Sequence, residues 1–123
     1  MAISTQLADF IRGAFPSVWS LELLVLLQSE PDRGWTGQEL VERLRGSEHI
    51  VVQGVGALVA GGIAATEDGG KVRYAPASPD IERLVQDAIR QYAKRPDAVR
   101  RIIVFGGNIG LQAFSDAFDL RKD

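Results

Sequence analysis

Cysteine is absent from this 123-residue chain, and histidine occurs once, as His49. Without thiols there is no disulfide framework, no thiolate metal cluster and no thiol nucleophile, and a zinc site would have to be assembled from carboxylates. Neither a metal nor a cofactor is therefore expected. Long apolar runs are missing as well: no stretch approaches the roughly 20 residues that cross a bilayer. The start, Met1 to Phe10, lacks the basic opening and apolar core of a secretory leader, so a cytoplasmic protein without membrane contact is expected. Positive charge is not in excess either. Fourteen basic against sixteen acidic residues give a net charge of -2, so no overall field draws the molecule to nucleic acid, and DNA binding would need a local patch. The sequence holds no H-E-x-x-H, G-x-S-x-G or P-loop, and its serines have no His partner within any motif. The carboxylates fall at caps and exposed helical positions, so no enzyme is expected.

What is present is ordinary globular composition, 46% hydrophobic and 24% charged, in a length that suits one domain with a real core. Leu7, Phe10, Ile11 and Phe15 recur at helical spacing behind Ser4 or Thr5 as N-cap, and Pro16 ends this first helix. From Ser17 to Ser29 the chain is apolar nearly all round, which predicts a helix covered on most sides. After the turn Pro31 to Gly34, Thr36 and Glu39 stand at capping-box spacing and open a helix that buries Leu40, Val41 and Leu44. Gly46 suits a left-handed C-cap and Ser47 the next N-cap. The third helix of this group is expected from Ser47 to Ala60, with Ile50, Val51, Val55 and Leu58 inward and His49, Val52, Gln53, Gly56 and Ala60 outward. Its glycines, Gly54 and Gly56, each cost about 1 kcal/mol against Ala unless something packs close to the backbone.

Gly61 and Gly62 stop that helix, and Ile63 to Thr66, the turn Glu67 to Gly70, and Lys71 to Tyr74 read as a hairpin around Asp68-Gly69. Ser78 as N-cap, Pro79 at the first helical position and acidic Asp80 and Glu82 start a further helix with its apolar face through Ile81, Leu84, Val85, Ala88, Ile89 and Tyr92. Pro96 interrupts it. Residues 98–105 read equally as helix or strand. A last amphipathic turn or two places Leu111, Phe114 and Phe118 at i, i+3 and i+7. Phe105 to Gly110 looks only superficially like a phosphate-binding loop, since the G-x-G-x-x-G spacing and a Walker lysine are lacking.

Core helix, short helix, glycine turn, third helix and two-stranded ribbon follow one another as in a winged helix-turn-helix. Residues 17–76 resemble bacterial winged-helix regulators of the MarR, ArsR and PadR kind. The likeness rests on Thr36-Gly-Gln-Glu-Leu-Val-Glu-Arg-Leu, on Ser47 opening the third helix, and on Gly62-Ile-Ala-Ala-Thr-Glu-Asp-Gly-Gly-Lys-Val-Arg-Tyr as the wing. It implies a mostly helical α+β fold with an N-terminal helix (1–16), the winged module (17–76) and a C-terminal helical extension (77–123) that forms a homodimer. It also implies a third helix entering the major groove and a wing touching the DNA backbone. On that expectation the chain is a DNA-binding transcriptional regulator in which His49 and Gln53 read bases and Arg45, Lys71 and Arg73, with Arg43, meet phosphate.

The residues themselves leave an alternative open. A DNA reader needs Lys or Arg on phosphate and polar groups on base edges, yet Gly46 to Gly70 contains neither Lys nor Arg. Val52, Gly56 and Ala60 make a smooth face suited to packing, and Gly56 with Ala60 stands at the spacing that admits a helix from a partner. The second expectation is thus a protein-interaction module, a regulatory adaptor that meets its partner or its own copy through Val52, Gly56 and Ala60 or through Leu111, Phe114 and Phe118. A small-molecule sensor would need an apolar pocket beside the C-terminal helices. The local basic cluster Arg90, Lys94, Arg95, Arg100 and Arg101 could flank DNA, meet an acidic protein surface, or form a solvated helix face.

Overall fold

The structure, a computed structural model, describes residues 3–106. It is mostly helical, with α1 (Thr5–Ala14), α2 (Val18–Ser29), α3 (Gly37–Leu44), α4 (Glu48–Ala60), β1 (Ala64–Thr66), β2 (Val72–Tyr74), α5 (Pro79–Lys94) and α6 (Pro96–Gly106). Hydroxyl side chains set the start of α1 through α5. The Leu7 N–H donates to Ser4 Oγ at 3.1 Å, Ile50 N–H to Ser47 Oγ at 3.1 Å and Ile81 N–H to Ser78 Oγ at 3.2 Å. Each satisfies an orphan donor of the first turn. At α3 the cap is reciprocal: Glu39 N–H donates to Thr36 Oγ1 at 3.1 Å, and Thr36 N–H donates to Glu39 Oε1 at 2.8 Å. That N–H, followed by the Arg33 guanidinium, holds the Glu39 carboxyl below its ordinary value.

Pro16 acts one residue before itself. Phe15 is driven into an extended conformation, so α1 closes at Ala14, as expected of a residue preceding proline. Residues 98–105 lie within α6 and are helical. The expected left-handed C-cap at Gly46 is displaced by one position: α3 ends at Leu44, and Arg45 adopts φ 56°, ψ 33°. A non-glycine residue there carries roughly 1–2 kcal/mol of strain. Gly46 instead lies beside Trp19 and Ile50, where an added Cβ would sit 3.6 Å from the Trp19 ring. The expected amphipathic turn at Leu111, Phe114 and Phe118, and most of the Phe105 to Gly110 loop, fall outside the described residues.

α2 is the hub. It packs against α3, α4, α6 and β2, while α1 closes over α5 and α6. One apolar cluster runs through all of these elements, from Leu7 and Ile11 through Leu24, Leu58 and Ile63 to Val85 and Ile103. Tyr92 ties α5 to the hub by donating its hydroxyl to Glu22 Oε2, with Arg100 lying 5.6 Å from its ring centre. Burial first, and then the bond to Glu22, push the Tyr92 hydroxyl pKa upward.

The two strands pair antiparallel, Ala64 with Tyr74, Ala65 with Arg73 and Thr66 with Val72. The other edge of β2 is also bound: Trp35 N–H donates to Val72 O and Val72 N–H to Trp35 O, both at 2.8 Å. The ribbon is therefore fastened to the corner between α2 and α3. A one-residue bridge has no alternation of its own, so no periodicity announces it. Trp35 is fully buried, with the Arg33 guanidinium 3.6 Å and that of Arg43 5.3 Å from its ring centre, close enough for cation–π attraction.

Candidate functional site

The site is built on α4, because this helix has one face committed to the core and another left bare. Val51, Gly54 and Leu58 are buried, and Gly54 is where α4 meets α2. A Cβ at Gly54 would stand 3.1 Å from Leu23 Cδ2 and 3.7 Å from Ser20 Cα, so the glycine permits that close approach. Gly56 has the opposite surroundings: a Cβ there would find nothing within 4 Å among the described residues. At about 100° per residue, Gly56 lies at the middle of the outward face, between an edge carrying Val52 and Val59 and an edge carrying His49 and Gln53.

These two edges open on different hollows. Val52 and Val59, with Val55, Gly56, Thr66 and Val72, line a groove of about 500 Å³ between α4 and the ribbon. It shares Gly37, Val51 and Val52 with a hollow of about 370 Å³ at the start of α3, which Gln38 and Glu48 border. Val52 is 63% and Val59 39% exposed. Covering one such valine fully is worth roughly 1.5–3 kcal/mol, so the groove favours an apolar occupant. Gln53 faces elsewhere, onto a third hollow with Pro16, Ser17 and Gly54.

The expected DNA-contacting set is thereby divided. His49 and Gln53 lie on the edge of α4 away from the groove that the ribbon borders, and His49 is exposed at the first turn. Arg45 is exposed just ahead of α4. Arg73 is exposed but forms an ion pair with Glu67 across the ribbon at 3.5 Å. Lys71 is exposed, and its stem runs beside Gly34, where an added Cβ would come 3.3 Å from Lys71 Cβ. Arg33, held by Glu39 at 2.9 Å and Glu30 at 3.4 Å, is occupied in stacking on Trp35.

No family model, curated protein or solved structure matches this chain. Charge is distributed unevenly along the chain. Residues 17–76 carry five basic side chains, Arg33, Arg43, Arg45, Lys71 and Arg73, against eight acidic ones, a net charge of -3. Residues 79–106 carry six basic and four acidic side chains, a net charge of +2. Positive charge thus gathers at the elbow of α5 and α6, away from α4. There Arg90 pairs with Asp87 at 3.0 Å and Arg100 with Asp97 at 3.3 Å, while Lys94, Arg95 and Arg101 are exposed.

Of the expected contact residues, Val52, Gly56 and Ala60 do share one bare face, and all three line the groove. Sequence reasoning missed Val59, Val55 and Val72. Val52 and Val59 stand seven residues apart, two helical turns, and that spacing was the available signal. Val72 carried none, because strand alternation places it inward whatever it touches. Among the described residues no group of three or more His, Asp or Glu side chains could hold a metal ion, and no single helix is long and apolar enough to cross a membrane.

Proposed function

We propose that the chain is a winged helix-turn-helix module used to bind protein, a regulatory adaptor whose contact face is the groove between α4 and the ribbon. The observation that carries this reading is the outward side of α4: valine, glycine and alanine, with no cation between Gly46 and Gly70, on a unit of net charge -3. Counterion release from DNA requires cations lying on phosphates, and the bordering cations are few and partly neutralised. The element order α2, α3, turn, α4, ribbon supports the winged-helix assignment, with α1, α5 and α6 as helices outside the module. The one-residue bridge from Trp35 to Val72, which fastens the ribbon to the corner before α3, is compatible with it.

The second reading is a DNA-binding transcriptional regulator. Arg45 and Lys71 favour it, since both are exposed on the segments flanking α4 and neither has an ion-pair partner among the described residues. A titration against double-stranded DNA at several salt concentrations separates the two. The adaptor reading expects weak affinity that is unchanged by Lys71→Ala with Arg73→Ala, together with a specific protein retained by the native chain and lost by Val52→Asp. Affinity that falls steeply with salt and disappears with Lys71 and Arg73 overturns it in favour of the regulator.

A further inference from the structure

We infer that the groove between α4 and the ribbon is filled by residues 109–120 of a second copy, exchanged reciprocally, so that two chains hold each other by their tails. This rests on reading that groove as a protein-binding face and names its occupant.

Four observations meet here. The groove is apolar and uncharged along its lining, with Val52 mostly exposed at its edge. Gly56 opens its floor to close backbone approach without serving any contact among the described residues, although it weakens the helix that carries it. Seventeen residues follow Gly106, and they bring Leu111, Phe114 and Phe118 at i, i+3 and i+7, an apolar stripe of helical period. The same segment carries Asp116 and Asp119 and no cation before Arg121. Those acids are opposite in sign to Lys71, which belongs to the ribbon beside the groove although its stem runs along Gly34 and not along the groove lining. A helix laid by its apolar stripe into a groove is a recurrent mode of recognition.

The occupant comes from the second copy. α6, where the tail departs, packs against α1, α2 and α5, whereas α4, the start of α3 and the ribbon bound the groove. The five residues from Gly106 to Leu111 reach at most about 18 Å when fully extended, a short tether for rounding the hub helix. Exchange between two copies uses each groove and each tail once and closes the assembly at two.

The test is a complementation of substitutions in the full chain, read by light scattering on a sizing column and by sedimentation. The native chain should run at twice its chain mass. Val52→Asp, which spoils the groove, and the double substitution Phe114→Asp with Phe118→Asp, which spoils the tail, should each weaken self-association on the order of 100-fold. Each should keep the native far-ultraviolet circular dichroism spectrum. Mixed together they should recover a dimer, because one partner retains a sound tail and the other a sound groove. A monomeric native chain, a dimer indifferent to either change, or a mixture that stays monomeric overturns the exchange. A monomeric native chain that still loses its protein partner on Val52→Asp refutes the exchange alone. Salt-sensitive DNA binding through Lys71 and Arg73 refutes the underlying reading as well.

Discussion

The two sides of α4 use the same residue types to opposite ends. Gly54 and Gly56 are two positions apart, but one lies against Leu23 and Ser20 of α2 and the other against nothing among the described residues. Val51 is buried while its neighbour Val52 is mostly exposed. The inward glycine is explained by the core. The outward glycine and valine are not, although a helix in water gains from Ala at the first and from a polar residue at the second. The difference teaches that composition marks a helix as apolar without saying which of its apolar residues serve the chain's own stability.

The largest break in this contrast should come from filling the inner side. Gly54→Val forces Leu23 from its place, and a loss of about 1–3 kcal/mol is expected from overpacking, measured by denaturant unfolding. Gly56→Ala should act in the reverse direction, raising stability by about 0.5–1 kcal/mol while weakening whatever association the groove supports. Equal losses at the two positions would erase the distinction. The smallest effect belongs to Tyr92, which ties α5 to α2. Its pKa is raised in the folded state, so the native chain holds this proton longer than the unfolded chain does. Its contribution is complete below the ordinary tyrosine value of 10.0 and lost as pH rises through the higher folded value. Tyr92→Phe should therefore flatten the decline of the melting temperature at alkaline pH and leave the effect of Gly56→Ala unchanged.

Local physics was legible in the sequence and the rotation of elements about their axes was only partly so. The caps at Ser47, Thr36 and Ser78 follow from side-chain chemistry within one turn, and the hairpin from glycines at its tip, where Gly69 and Gly70 have φ of 88° and 86°. The bare face of Val52, Gly56 and Ala60 also followed from helical period. What escaped depended on contacts distant in sequence. Arg45 takes the left-handed position while Gly46 lies beside Trp19, a neighbour 27 residues away, and the Trp35 bridge depends on Val72. The separation of Gln53 from Lys71 and Arg73 needed the placement of α4 between the ribbon and the start of α2. A list of outward residues does not contain that information.

The fastening of the ribbon through Trp35 has an optical consequence. The chain has two tryptophans; Trp35 is sealed beneath the ribbon and Trp19 is 38% exposed beside the turn that leads into α4. Any event that prises the ribbon from its corner transfers one indole from a buried to an aqueous setting and leaves the other as it was. The molecule thus carries two native fluorophores in different settings, one beneath the ribbon and one beside the turn before α4.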